Sequence, residues 1–152
     1  MNEQANIDLV KQGYDAFAKG DIPRLLGYFA QDIEWTLPKV EGIDFTGKRR
    51  GLSQVAEFFK LMNDAQDTRE FLADEYIAQG DRVVVLGHCS FTVKATGADY
   101  SDEWTHVFTI SGGKVSKFKE YSDTHKAALA YQPRAGAAMG AAAGATPRPP
   151  IH

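Results

Sequence analysis

Ile7, Val10, Tyr14 and Phe17 recur three and four residues apart, with Asp8, Lys11, Asp15 and Lys19 between them. That period predicts an amphipathic helix with one apolar stripe. Gly20 closes it, and Asp21 caps a second helix that tolerates Pro23 in its first turn and buries Ile22, Leu25, Leu26 and Phe29. The period then changes to two: IEWTLP reads as a strand with Ile33, Trp35 and Leu37 on one face, ended by Pro38. A loop rich in glycine and charge runs from Lys39 to Gly51. Beyond it Ser53 is expected to cap a third helix that turns Val55, Phe58, Phe59 and Met62 inward.

The rest of the chain alternates. EFLADEYIAQ and RVVVLGHCSFTVK meet across Gly80-Asp81, DYSDEWTHVFTI follows the Thr96-Gly97-Ala98 turn, and KVSKFKEYS follows Gly112-Gly113. Three helices first and an antiparallel meander after predict an α+β domain over residues 1–131, with the helices covering one face of a curved sheet. From Pro133 the composition collapses to alanine, glycine and proline, so 132–152 are expected to form a flexible tail.

Strand register decides which polar side chains face inward. A turn centred on Gly97 pairs residues whose numbers sum to 194, setting Val84 opposite Ile110, Leu86 opposite Phe108, His88 opposite His106 and Ser90 opposite Trp104. On that pairing Cys89 shares the mixed face of Thr105, away from the apolar row. The last hairpin offers two registers. A two-residue Gly112-Gly113 loop puts Lys117 and Lys119 beside the apolar row. A three-residue loop with a bulge pairs Phe108 with Phe118, His106 with Glu120 and Trp104 with Ser122. An unpaired buried ammonium costs several kcal/mol, so the second register is preferred and Glu120 rather than Asp123 faces inward.

The expected result is a row of His88, His106 and Glu120 across three strands, flanked by Trp104, Phe108 and Phe118. Such a row suits proton transfer, since burial raises a carboxyl pKa and a charged histidine lowers it. Tyr14, on the first helix, can add a hydroxyl from above. Two other uses of the same residues stay open: a hydrogen-bonded network that only stabilises the sheet, and a two-histidine, one-carboxylate metal set. The metal set is not adopted; no metal and no cofactor are expected.

Composition narrows the function classes. In 152 residues with 43% hydrophobic and 24% charged residues there is enough apolar material for one soluble core. A net charge of -3, with no basic cluster longer than Lys48-Arg49-Arg50, argues against nucleic acid as a partner. A single cysteine excludes an internal disulfide framework. MNEQANIDLV lacks the layout of a signal peptide and no apolar run is long enough for a bilayer, so a cytoplasmic protein with no membrane partner is expected.

Five stretches carry a resemblance: Tyr14 to Asp21 (YDAFAKGD), FAQDIEW, Gly47 to Gly51, EWTHVFTI and GGKVSKFKEYSD. Their order over residues 5 to 131 resembles the nuclear transport factor 2-like superfamily, especially its SnoaL-like, ketosteroid-isomerase-related branch. That resemblance implies a cone of curved antiparallel sheet round an apolar pocket, usually dimeric through the sheet, and so a homodimer. In SnoaL-type polyketide cyclases the acid/base carboxylate matches Glu120. Ketosteroid isomerases resemble the chain at Tyr14, and their strand aspartic acid matches His106, but Leu37 stands where their base would be. Epoxide hydrolases of this fold need an arginine where Gly87 or His88 stands. The implied function is acid/base chemistry on a small apolar carbonyl compound by Glu120, His106, His88 and Tyr14, with Trp35, Ser90, Trp104, Phe108, Phe118 and Ser122 holding the ligand. The alternative is a non-catalytic module that binds a hydrophobic ligand or dimerises.

Overall fold

The computed structural model describes residues 2–133. In chain order its elements are α1 (Glu3–Ala18), α2 (Ile22–Leu26), β1 (Phe29–Thr36), β2 (Lys48–Arg50), α3 (Leu52–Ala65), β3 (Gln66–Gln79), β4 (Arg82–Val93), β5 (Asp99–Ser111), β6 (Lys114–Ser122) and α4 (Thr124–Tyr131). The segment expected to form a flexible tail lies, from residue 134 on, outside the described residues. Among the described residues no helix is long and apolar enough to cross a membrane.

The helices start where the side chains can satisfy free backbone N–H groups. Asn2 accepts from Ala5 N at 2.6 Å and Asp21 from Arg24 N at 3.1 Å. α3 begins differently. Its cap is Gly51 at φ +85°, with no side-chain cap; Ser53, expected in that role, lies inside the helix. Gln54 instead accepts the N–H of Arg50 at 2.8 Å, tying α3 to β2.

The fold is α+β, with one open, curved sheet of six strands in the order β2-β1-β6-β5-β4-β3. β3 to β6 form the meander that the alternation predicts, joined at Gly80-Asp81 by a tight turn between Gln79 and Arg82. Two features are not visible in the pattern. β1 pairs parallel with β6, and the glycine- and charge-rich loop contains β2, which pairs with β1. Arg49 of β2 meets Glu57 at 2.7 Å and the carbonyls of Asp44 and Gln54. The short basic cluster is therefore partly consumed in holding β2 to α3.

The concave face carries the core. Ile33, Trp35, Val83, Val85, Phe91, Trp104, Phe108, Ile110, Val115 and Phe118 are all 7% exposed or less, and Val10, Ala16, Val55, Phe58 and Phe59 cover them from the helices. The convex face leaves Leu72, Ile77 and Tyr121 about half exposed. Bulges in β3, between Thr68 and Glu70 and between Ala73 and Glu75, bend the sheet where it passes over Gly87 of β4. There the indole of Trp104 packs against the β4 backbone: a Cβ on Gly87 would stand 2.2 Å from Trp104 Cζ2 and 2.4 Å from the carbonyl oxygen of Leu72. Neither can yield cheaply, one being walled in by rings and the other part of a ladder.

Gly87→Ala should therefore lower unfolding stability by about 1–3 kcal/mol, read as a fall in the denaturation midpoint. A midpoint equal to wild type would show that Trp104 does not lie across this glycine.

Candidate functional site

The inward-facing groups follow from one irregularity in β6. The Gly112-Gly113 turn is tight, with Ser111 paired to Lys114 and Ile110 to Val115. Continued unchanged, that register would set Phe108 against Lys117. Instead Ser116 is an extra residue in the ladder, its hydroxyl donating to the Thr109 carbonyl at 3.1 Å, and Thr109 pairs with Lys117. From there on Phe108 faces Phe118, His106 faces Glu120 and Trp104 faces Ser122. The register is the expected one, but the extra residue sits in the strand rather than in the turn. Both Val115 and Phe118 consequently point inward.

Tyr14, His106 and Glu120 meet in a chain of hydrogen bonds. The Tyr14 hydroxyl lies 2.7 Å from His106 Nδ1, and His106 Nε2 lies 3.0 Å from Glu120 Oε1. His106 is 4% exposed, and burial pushes its pKa below the ordinary 6.5 against the opposing pull of Glu120. Burial likewise raises the Tyr14 phenol well above its usual value, with Tyr76 and Glu120 adding to the shift, so Tyr14 stays a donor. A neutral imidazole accepting at Nδ1 must carry its proton on Nε2 and donate it to the carboxylate. Ser122 Oγ is 3.5 Å from Glu120 Oε2, a long contact. Trp104 stacks on the imidazole at 4.0 Å between centroids, and Phe118 stacks on Trp35 at 3.9 Å.

Two small cavities adjoin this chain. One, of about 70 Å³, is lined by Tyr14, Trp35, Phe108, His106, Phe118 and Glu120. The other, of about 80 Å³, is lined by Trp104, Ser122 and Glu120 together with Gln66, Cys89 and Asp102. Glu120 borders both. A groove of about 720 Å³ between α1, α3 and β3 shares Tyr14, Phe17, Phe59, Met62 and Phe71 with the first cavity, so these five side chains form a wall common to the two.

The expected pairing of β4 with β5 is corrected. Leu86 pairs with Thr105, His88 with Glu103 and Ser90 with Ser101, a register whose partners sum to 191. Gly97, at φ +73°, is the last residue of a four-residue loop closed by Val93 and Ala98, not the centre of a shorter turn. An odd shift reverses the faces of β4. His88 and Ser90 therefore lie on the convex side, away from His106, and neither the three-strand row nor a two-histidine, one-carboxylate set is assembled. His88 sits instead 2.6 Å from Asp74 and 3.4 Å from Glu70, and the bond to Asp74 raises its pKa. Cys89, expected on the outer face, is buried on the inner one, where burial pushes the thiol up to about 12.

Asp102 is the inner-face group that the pairing overlooks. It stands opposite Cys89, is 8% exposed, accepts the Asp123 N–H at 3.0 Å, and has its pKa raised by burial. Its signal was available: Asp102 has the same parity as Trp104, His106 and Phe108 along β5. Gln66, which accepts from the Tyr100 and Tyr131 hydroxyls, comes from the start of β3 and carries no such signal.

With this geometry in place, the chain can be set beside known proteins. A family model described as a SnoaL-like domain matches residues 10–118, a span that holds Tyr14 and His106 and stops just before Glu120. An NTF2-like protein of Burkholderia xenovorans is similar in structure with a TM-score of 0.79 and 32% identity, over 87% of this chain and 99% of that one. TerC, crystallised with polyporic acid, is similar with a TM-score of 0.74 and 27% identity, over 84% and 98%. An uncharacterized protein of Mycobacterium tuberculosis is 25% identical over 122 residues, 80% of this chain and 91% of the relative.

The two strand histidines should titrate on opposite sides of 6.5 when imidazole resonances are followed by NMR against pH: His88 above it and His106 below. For His106 the unfolded chain binds the proton more readily. Its neutral form is favourable above 6.5, and stability falls as pH drops from 6.5 through the folded pKa, by at most about 1.4 kcal/mol per pH unit. His106→Gln should remove that part of the slope. An imidazole of His106 that protonates above 6.5 would contradict the buried neutral assignment.

Proposed function

The chain belongs to the SnoaL-like family of the NTF2-like fold, and we propose that its interior is a small-molecule site in which Glu120 moves a proton on an apolar, carbonyl-bearing substrate. The observation that supports this most is that Glu120 borders both cavities while one of its oxygens is held by a buried, neutral histidine. A base must reach its proton and be oriented towards it, and among the described residues the second oxygen of Glu120 has only the long contact to Ser122.

In this reading the Glu120 carboxylate takes a proton from the carbon next to the substrate carbonyl and returns it to a neighbouring position. His106 and Tyr14 act through Glu120 as positioning residues: the phenol O–H holds Nδ1 as an acceptor, and Nε2–H holds the carboxylate. Both ring nitrogens are thus engaged, so the developing oxygen charge falls to the Ser122 hydroxyl, turning away from Oε2. Trp35, Phe108 and Phe118 face the apolar skeleton in the first cavity, and the co-crystallisation of TerC with polyporic acid is in keeping with a small organic ligand for a protein of this fold. A second reading, a sealed polar network in a non-catalytic module, draws on the smallness of the cavities.

The two readings separate on proton exchange at the α-carbons of 2-tetralone in heavy water, followed by proton NMR. Wild type should accelerate the exchange, and Glu120→Gln should slow the catalysed rate by about 10²–10⁴-fold. No acceleration by wild type, or equal rates in the variant, would overturn the proposal and leave the network a structural one.

A further inference from the structure

The second cavity is unlike the first in its chemistry. The first is walled by aromatic and aliphatic side chains, with the Tyr14–His106–Glu120 chain at one side. The second adds Asp102, Cys89, Ser122 and Thr124 to its apolar lining. Phe58, Met62, Phe71 and Glu120 border both, so Glu120 lies in the wall that the two compartments share. At about 70 and 80 Å³ the two compartments are similar in size, and a ligand longer than one of them has to use both.

The carboxyl of Asp102 is the strongest hydrogen-bonding group at the far end of this second compartment, and the proton transfer just described does not use it. It is held in place by the backbone: β5 aims it inward beside Trp104, and Asp123 at the start of α4 donates its N–H to Oδ2. A buried carboxyl next to apolar walls is costly unless partnered, and a neutral donor can satisfy it without bringing a second charge into the interior. Burial, the largest influence on its pKa, favours the less charged arrangement in the same way.

We infer that Asp102 is a specificity-determining residue, binding a hydroxyl at the end of the ligand remote from the proton-transfer carbon, so that the ligand lies across both compartments with Glu120 at its middle. The inference rests on the interior being a small-molecule site, as proposed above. The ligand class is then a two-ring apolar carbonyl compound with one terminal hydroxyl, held by aromatic contact in the first compartment and by a directed hydrogen bond in the second.

The test is binding of 2-naphthol and of 2-methylnaphthalene, measured by quenching of tryptophan fluorescence, since Trp35 and Trp104 border the two compartments. Transfer from water alone favours the methyl compound. Wild type should nevertheless bind 2-naphthol about tenfold more tightly. In Asp102→Ala the two affinities should come within about threefold of each other. Asp102→Asn, which keeps an acceptor for the Asp123 N–H and so guards against loss of folding, should fall between. If wild type binds the probes equally, or both variants keep the full preference, the Asp102 inference is wrong while the role of Glu120 stands. If wild type binds neither probe, the small-molecule reading of the interior fails and this inference fails with it.

Discussion

One extra residue in a strand sets the chemistry of this interior. Side chains alternate along β6, so every residue after Ser116 faces one way with the bulge there and would face the other way without it. Without it Lys117 and Lys119 would enter the core opposite Phe108 and His106, two ammonium groups lacking any anionic partner but Glu34, which lies 3.9 Å from Lys117 on the outer side. Several kcal/mol per ion weigh against that arrangement. The bulge costs one irregular rung, partly offset by the Ser116 hydroxyl on the Thr109 carbonyl. Phe118 can then lie on Trp35, and the parallel pairing of β1 with β6 is built on that contact.

The same phase brings Glu120 to His106, and the balance of two effects decides the state of that pair. A hydrogen bond to a charged group contributes about 1.5–3 kcal/mol, whereas ionising a fully buried imidazole costs more unless a partner compensates it. Burial outweighs the pull of Glu120, so the imidazole is neutral. Neutrality makes the chain directional: Tyr14 donates to Nδ1, and Nε2 donates to the carboxylate. Trp104 can lie across that imidazole only because Gly87 has no side chain. The β3 bulges and Gly87 therefore shape the wall on one side of the site as the Ser116 bulge orders the other.

Much of this is legible in the residues themselves. The helical stripe that carries Tyr14, the alternation of β5 and β6, and the cost of burying Lys117 and Lys119 suffice to bring Tyr14, His106 and Glu120 together. β4 is different because both of its faces are apolar: Val83, Val85 and Phe91 on one, Val84 and Leu86 on the other. Hydrophobic pattern cannot choose between two such faces, and the choice fell to the loop, where Gly97 ends the turn rather than centring it. That is why His88 and Ser90 were expected inside and Cys89 outside. Asp102 has the parity of His106, but an aspartate beside another acidic residue carries no pattern that separates it from a solvated one. β2 is three residues long and polar, and its pairing with β1 is a tertiary event with no local pattern.

The central claim is that the bulged register turns Glu120 into the protein beside His106. Nuclear Overhauser contacts between the imidazole ring protons of His106 and the γ-methylene of Glu120 in the folded protein test it most directly. The account predicts clear cross-peaks to Glu120, together with peaks from the same ring to Tyr14 and Trp104. Cross-peaks from that ring to the side chain of Lys119, with none to Glu120, would contradict it.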